Sequence, residues 1–142
     1  MAQPYIMKPY TFTILVIDDD TEDLGIFCDA IKSIGPPQLC KPMTKCRVAL
    51  KQLAMKEIQP QLIFLDVHLD EMDGLECLRF LKENKDLSAI PVAMISEIYN
   101  ERVYRSAMKL GAINYFKKPG LMEEVIDLIK STLPAGLLVN NA

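Results

Sequence analysis

The stretch QLIFLD, residues 61–66, is unbroken apolar from Leu62 to Leu65 and then stops on a carboxylate, Asp66. Four large apolar residues in succession, with no polar alternation, read as a strand buried on both faces. Such a strand belongs to a parallel sheet, so stretches of helical period should flank it. They do. On the N-terminal side, Val48–Glu57 carries Ala49, Leu50, Leu53 and Ala54 on one helix face. Before it, Gln38–Lys45 reads as a weaker strand, and Pro42 places it at a sheet edge because proline cannot donate to a ladder. Leu24, Phe27, Cys28, Ile31 and Ile34 then form a helix stripe that Gly35-Pro36-Pro37 stops, and FTILVI at Phe12–Ile17 is a buried strand.

On the C-terminal side, Asp73-Gly74 opens a helix bearing Leu75, Leu78 and Leu81. Ile90–Ile95 reads as the fourth strand and Glu101–Leu110 as a helix, with Gly111 as its left-handed cap. Ala112–Phe116 is the fifth strand, and Leu121–Leu133 the last helix, with Val125, Ile126, Leu128 and Ile129 inward. Five strands alternating with five helices predict an α/β fold: a doubly wound, five-stranded parallel sheet of flavodoxin-like (βα)5 type, in the order 2-1-3-4-5. That order puts the proline-bearing second strand at an edge. Residues 11–133 make the domain, 1–10 an N-terminal extension, and 134–142 a frayed tail.

Composition excludes several function classes. A chain of 142 residues is one domain with enough core to fold without a disulfide or metal staple. The net charge of −3 and a pI of about 5.2 leave no basic footprint, so direct nucleic-acid binding is not expected. The longest apolar runs, such as Ile14–Ile17 and Val92–Ile95, fall far short of the ~20 residues that membrane insertion needs. MAQPYIMKPYTF lacks the basic-then-apolar pattern of a secretory signal. Cys28, Cys40, Cys46 and Cys77 form no CxxC pair and the chain has a single histidine, so no zinc or redox motif is present. The cysteines read as small apolar residues in a reducing, cytoplasmic setting.

In a doubly wound sheet the site lies beyond the carboxyl ends of the strands. Strand one ends in Asp18-Asp19-Asp20, strand three in Asp66, strand four in Ser96 and strand five in Lys117-Lys118-Pro119. Carboxylates gathered this way repel one another, and a hard divalent cation, Mg²⁺ or Mn²⁺, relieves that repulsion through oxygen ligands. A carboxylate nucleophile, a cation, a lysine and a hydroxyl together suit phosphoryl transfer. Asp20 and Asp73 read instead as helix caps, and Lys117 as solvated.

ILVIDDD at 14–20, LIFLDVHLDEMDG at 62–74, PVAMIS at 91–96 and YFKKPG at 115–120 make the chain resemble the receiver domains of two-component response regulators. The resemblance implies that Asp66 is the phosphoacceptor. It implies a Mg²⁺ site made of Asp18, Asp19, Asp66 and the backbone carbonyl of His68. Ser96 would be the switch hydroxyl, Lys118 the lysine, and Tyr115 the aromatic switch. It further implies a stand-alone signalling protein rather than an enzyme. Its phosphodonor would be a sensor histidine kinase or a phosphotransfer protein. Phosphorylation would turn the face of helix four, strand five and helix five toward a protein target or a second copy in a homodimer.

Two departures stand out. Glu97 follows Ser96 where the family usually has a small residue, and Asp70 stands where it often has proline. Glu97, with His68 and Ile98, is therefore expected to modulate phosphate lifetime or restrict the donor. One alternative is an interaction module that works without phosphate. Another is a haloacid dehalogenase-like phosphatase, for which Asp18 and Asp20 have the spacing but Glu22 breaks the motif.

Overall fold

The computed structural model describes residues 11–36 and 38–134. The expected extension, 1–10, and the tail beyond Pro134 lie outside the described residues. The elements run β1 (Phe12–Ile17), α1 (Thr21–Ile34), β2 (Gln38–Met43), α2 (Cys46–Ala54), β3 (Leu62–Asp66), α3 (Gly74–Glu83), β4 (Val92–Ser96), α4 (Glu101–Leu110), β5 (Asn114–Lys117) and α5 (Met122–Thr132). All strands are parallel and ordered β2-β1-β3-β4-β5. Pro42 lies opposite Val16 on the edge strand, where its missing N–H leaves no interior ladder bond unmade.

Strand side chains alternate between two apolar layers. Leu15, Ile17, Ile63, Leu65 and Met94 pack with α2, α3 and α4 through Ala49, Leu53, Leu78, Leu81 and Ala107. Ile14, Val16, Phe64, Ala93 and Ile95 pack with α1 and α5 through Phe27, Ile31, Val125, Leu128 and Ile129. Every residue of β3 and β4 is buried, which is why their sequences read as continuous apolar runs.

Several boundaries differ from the expected ones, each for a local reason. β2 ends at Met43, not Lys45, because Lys45 is already the N-cap residue of α2. α2 starts at Cys46 and closes at Ala54; Met55 caps it, and Lys56 turns to a φ of 59°. Ala54 is therefore exposed on the last turn instead of facing inward. β5 begins at Asn114 because the N–H of Ala112 donates to Ala107 in the α4 C-cap and is lost to the ladder. Gly111 has the left-handed φ of 107° expected of that cap.

The reading of the cysteines is corrected. Cys28 of α1 is disulfide-bonded to Cys40 of β2, with Cα atoms 5.3 Å apart. Cys46 of α2 is bonded to Cys77 of α3, with Cα atoms 6.3 Å apart. Each pair joins elements that the crossovers lay side by side, so the pairing is tertiary and no short-range motif announces it.

Candidate functional site

Parallel strands bring their carboxyl ends to one edge of the sheet, and β1 and β3, beside the switch in strand order, stop on acids there. Asp18 follows β1, is fully buried, and donates its N–H to the Met43 carbonyl at 3.0 Å. Its Oδ1 accepts from the N–H of Asp20 at 3.0 Å. Asp66 ends β3, with Oδ1 accepting from the N–H of His68 at 2.9 Å and Oδ2 from Lys118 Nζ at 2.8 Å. The Lys118 N–H donates to the Ser96 carbonyl at 2.7 Å, drawing the loop after β5 over the end of β4. The Lys118 side chain then reaches back to β3 and β1.

Carboxylate oxygens of Asp18, Asp19 and Asp66 all lie within 4.8 Å of one another. Asp18 Oδ2 is buried and accepts no aligned hydrogen bond, although Lys118 Nζ stands 2.7 Å away. Burial pushes the Asp18 carboxyl up to about 7; Lys118 opposes the rise and Asp66 adds to it. Burial also raises Asp19, assisted by the Asp70 carboxyl, while the Asp70 N–H, donating to Asp19 Oδ2 at 3.0 Å, opposes the rise. Burial alone would lower Lys118, yet the carboxylates of Asp18, Asp23 and Asp66 outweigh it and hold the ammonium charged. Three converging carboxylates fit a hard divalent cation.

Ser96 is buried at the end of β4, its hydroxyl donating to the Ile98 carbonyl at 2.9 Å. The Tyr115 hydroxyl donates to that same carbonyl at 3.3 Å. Tyr115 is buried, with the rings of Tyr99 and Tyr104 edge-on to it at 5.6 and 6.2 Å. It is thus a core aromatic in this conformation. The side chains of His68, Glu97 and Ile98 are exposed at the mouth. Asp20 caps α1 by accepting from the N–H groups of Glu22 and Asp23, Asp73 caps α3, and Lys117 is exposed, each as its sequence position implies.

One neighbour escaped the sequence reading. Asp23, in the first turn of α1, accepts a hydrogen bond from Lys118 Nζ at 2.7 Å. Its position in sequence signals only an acid favourable to a helix N-terminus. The lysine it meets is 95 residues away.

The sequence profile of the response regulator receiver domain matches residues 14–130. The polar-differentiation response regulator DivK of Brucella ovis is 27% identical over 124 residues, covering 87% of this chain and 97% of that protein. In fold, the chain is similar to the Mn²⁺-bound form of the response regulator Rcp1, with a TM-score of 0.78, 23% identity, and coverage of 89% of this chain and 94% of that one. It is equally similar to the phosphorylated cyanobacterial phytochrome response regulator RcpA, with a TM-score of 0.79, 23% identity, and coverage of 86% and 91%.

Proposed function

Because the chain belongs to the response regulator receiver domain family, a family of phosphorylation-dependent signalling domains, we propose that Asp66 is its phosphoacceptor. The observation that carries this is the meeting of Asp66 with Lys118 at 2.8 Å, inside a carboxylate cluster shared with Asp18 and Asp19. An Asp66 carboxylate oxygen attacks the phosphorus of a phosphohistidine. The P–N bond breaks as the O–P bond forms, and the leaving imidazole nitrogen takes a proton. Lys118 faces the charge that develops on the phosphoryl oxygens. The N–H of His68 holds Asp66 Oδ1, which leaves Oδ2 as the oxygen facing the lysine. Asp18, Asp19, Asp66 and the His68 carbonyl are the residues to hold Mg²⁺, which when bound neutralises the acceptor and the transferring group.

After transfer, the Ser96 hydroxyl leaves the Ile98 carbonyl for the phosphoryl group. Tyr115, the other donor to that carbonyl, follows into the space that Ser96 leaves, so the two movements start from one acceptor. Full reversal of a two-state population requires about 5.5 kcal/mol of differential stabilisation. The signal leaves through the face of α4, β5 and α5, where Met108, Ile113 and Met122 are exposed apolar side chains available to a protein target or a second copy. The donor is a sensor kinase or phosphotransfer protein. Glu97 limits which donors enter. Among the described residues no helix is long and apolar enough to cross a membrane, and we place the protein in the cytoplasm.

Intact mass after incubation with phosphoramidate and Mg²⁺ tests this reading. A gain of about 80 Da is expected. It should require Mg²⁺ and vanish in Asp66→Asn. A gain that persists in Asp66→Asn would place the acceptor elsewhere.

A further inference from the structure

The lysine of this site has one partner that the phosphoryl chemistry does not use. Lys118 Nζ is within 2.8 Å of three carboxylate oxygens, those of Asp18, Asp23 and Asp66. Its aligned hydrogen bonds go to Asp23 and Asp66; toward Asp18 it makes an ion pair without an aligned bond. Asp18 and Asp66 are the carboxylates that must rearrange when a cation and a phosphoryl group arrive. Asp23 belongs to neither set, so nothing in that exchange requires it to release the lysine. Its own place is fixed, because its N–H donates to the capping carboxylate of Asp20 at 3.2 Å. The side chain of Asp23 keeps 23% exposure against 9% for Lys118, so the contact lies at the edge of the site rather than inside the cation cluster.

We infer that Asp23 is a positioning residue. It tethers Lys118 to the first turn of α1, holds the ammonium at the angle that serves the phosphoryl oxygens, and takes a share of its charge that would otherwise fall on the carboxylates that bind the cation. This rests on the proposed role of Asp66. Two consequences have the same physical origin. Without the tether, the ammonium that already pairs with Asp18 and Asp66 is shared by those two alone and competes more strongly with Mg²⁺ for them. The lysine also loses its preset orientation, which slows transfer even when Mg²⁺ saturates the site.

The test uses the whole chain with Asp23→Ala, which removes both tether and charge, and Asp23→Glu, which keeps both. Mg²⁺ affinity is measured by calorimetry, and the phosphorylation rate with phosphoramidate at saturating Mg²⁺ by intact mass. In Asp23→Ala, Mg²⁺ binding should weaken and phosphorylation slow, each by about threefold to tenfold. Asp23→Glu should recover most of both losses. Asp23→Asn, which keeps a carbonyl acceptor, should lie between them in rate and serves if the alanine variant does not fold. A folded Asp23→Ala within twofold of wild type in either quantity overturns the inference, and a lowered melting temperature alone would reduce Asp23 to a helix-end charge. If the wild-type chain binds Mg²⁺ but takes no phosphoryl group, the reading of Asp66 fails. The Mg²⁺ measurement then still decides whether Asp23 restrains the lysine.

Discussion

Asp18 is fully buried at the end of β1, and burial pushes its carboxyl up to about 7. An acid whose folded pKa exceeds its unfolded value supports the fold fully while protonated. For Asp18 that support is complete below about pH 4 and is lost as pH rises through about 7. A divalent cation acts in the opposite sense, since it binds the ionised carboxylate and competes with the proton. Mg²⁺ affinity should therefore tighten as pH rises from 6 to 8, by roughly tenfold for a single group titrating midway. Calorimetric titrations across that range check this. A flat profile would mean that Asp18 is already ionised at the acidic end, despite its burial.

At the scale of the element, the decisive contact is between the end of β3 and the start of α3. The Gly74 N–H donates to the Val67 carbonyl at 2.7 Å, so the helix begins against the backbone that carries Asp66. A Cβ at Gly74 would collide with the Asp66 carbonyl oxygen and stand 2.7 Å from the Val67 Cα. These are backbone atoms, and they yield only if the acceptor strand shifts. Gly74→Ala should cost about 2 kcal/mol or more. Gly25, inside α1, has nothing within 4 Å of its would-be Cβ. Gly25→Ala should instead stabilise by about 0.5–1 kcal/mol. Urea denaturation of the two variants against wild type measures both signs. Equal destabilisation by the two would remove the steric account.

Across the whole molecule, the two disulfides tie α1 to the edge strand and α2 to α3, closing spans of 12 and 31 residues. Loop closures of this length contribute about 3 kcal/mol each. The two apolar layers make a core that should outlast their loss. Reduction should lower the melting temperature by roughly 10 °C per bridge while leaving a cooperative transition. Melting with and without a dithiol reductant checks both parts; loss of the transition would make the bridges a condition of folding. Cytoplasmic disulfides are uncommon, so thiol counting in freshly lysed cells also tests the proposed compartment.

Strand period, helix stripes and punctuation at Pro42, Asp73 and Gly111 were sufficient to read the sheet order and nearly every element. Burial on both faces leaves continuous apolar runs, and caps leave short-range marks. The acids at the ends of β1 and β3 were legible for a related reason: once strands are parallel, their carboxyl ends share one edge. The last turn of α2, the first residue of β5, the burial of Tyr115 and both cysteine pairs were not legible. Each depends on which neighbour claims an N–H, a ring or a thiol. The amino-acid sequence by itself determined the doubly wound fold and the carboxylates, hydroxyl and lysine at its active edge. Only the tertiary structure decided that Lys118 is shared with Asp23, 95 residues away, because a hydrogen bond between side chains of distant segments has no period for a sequence to display.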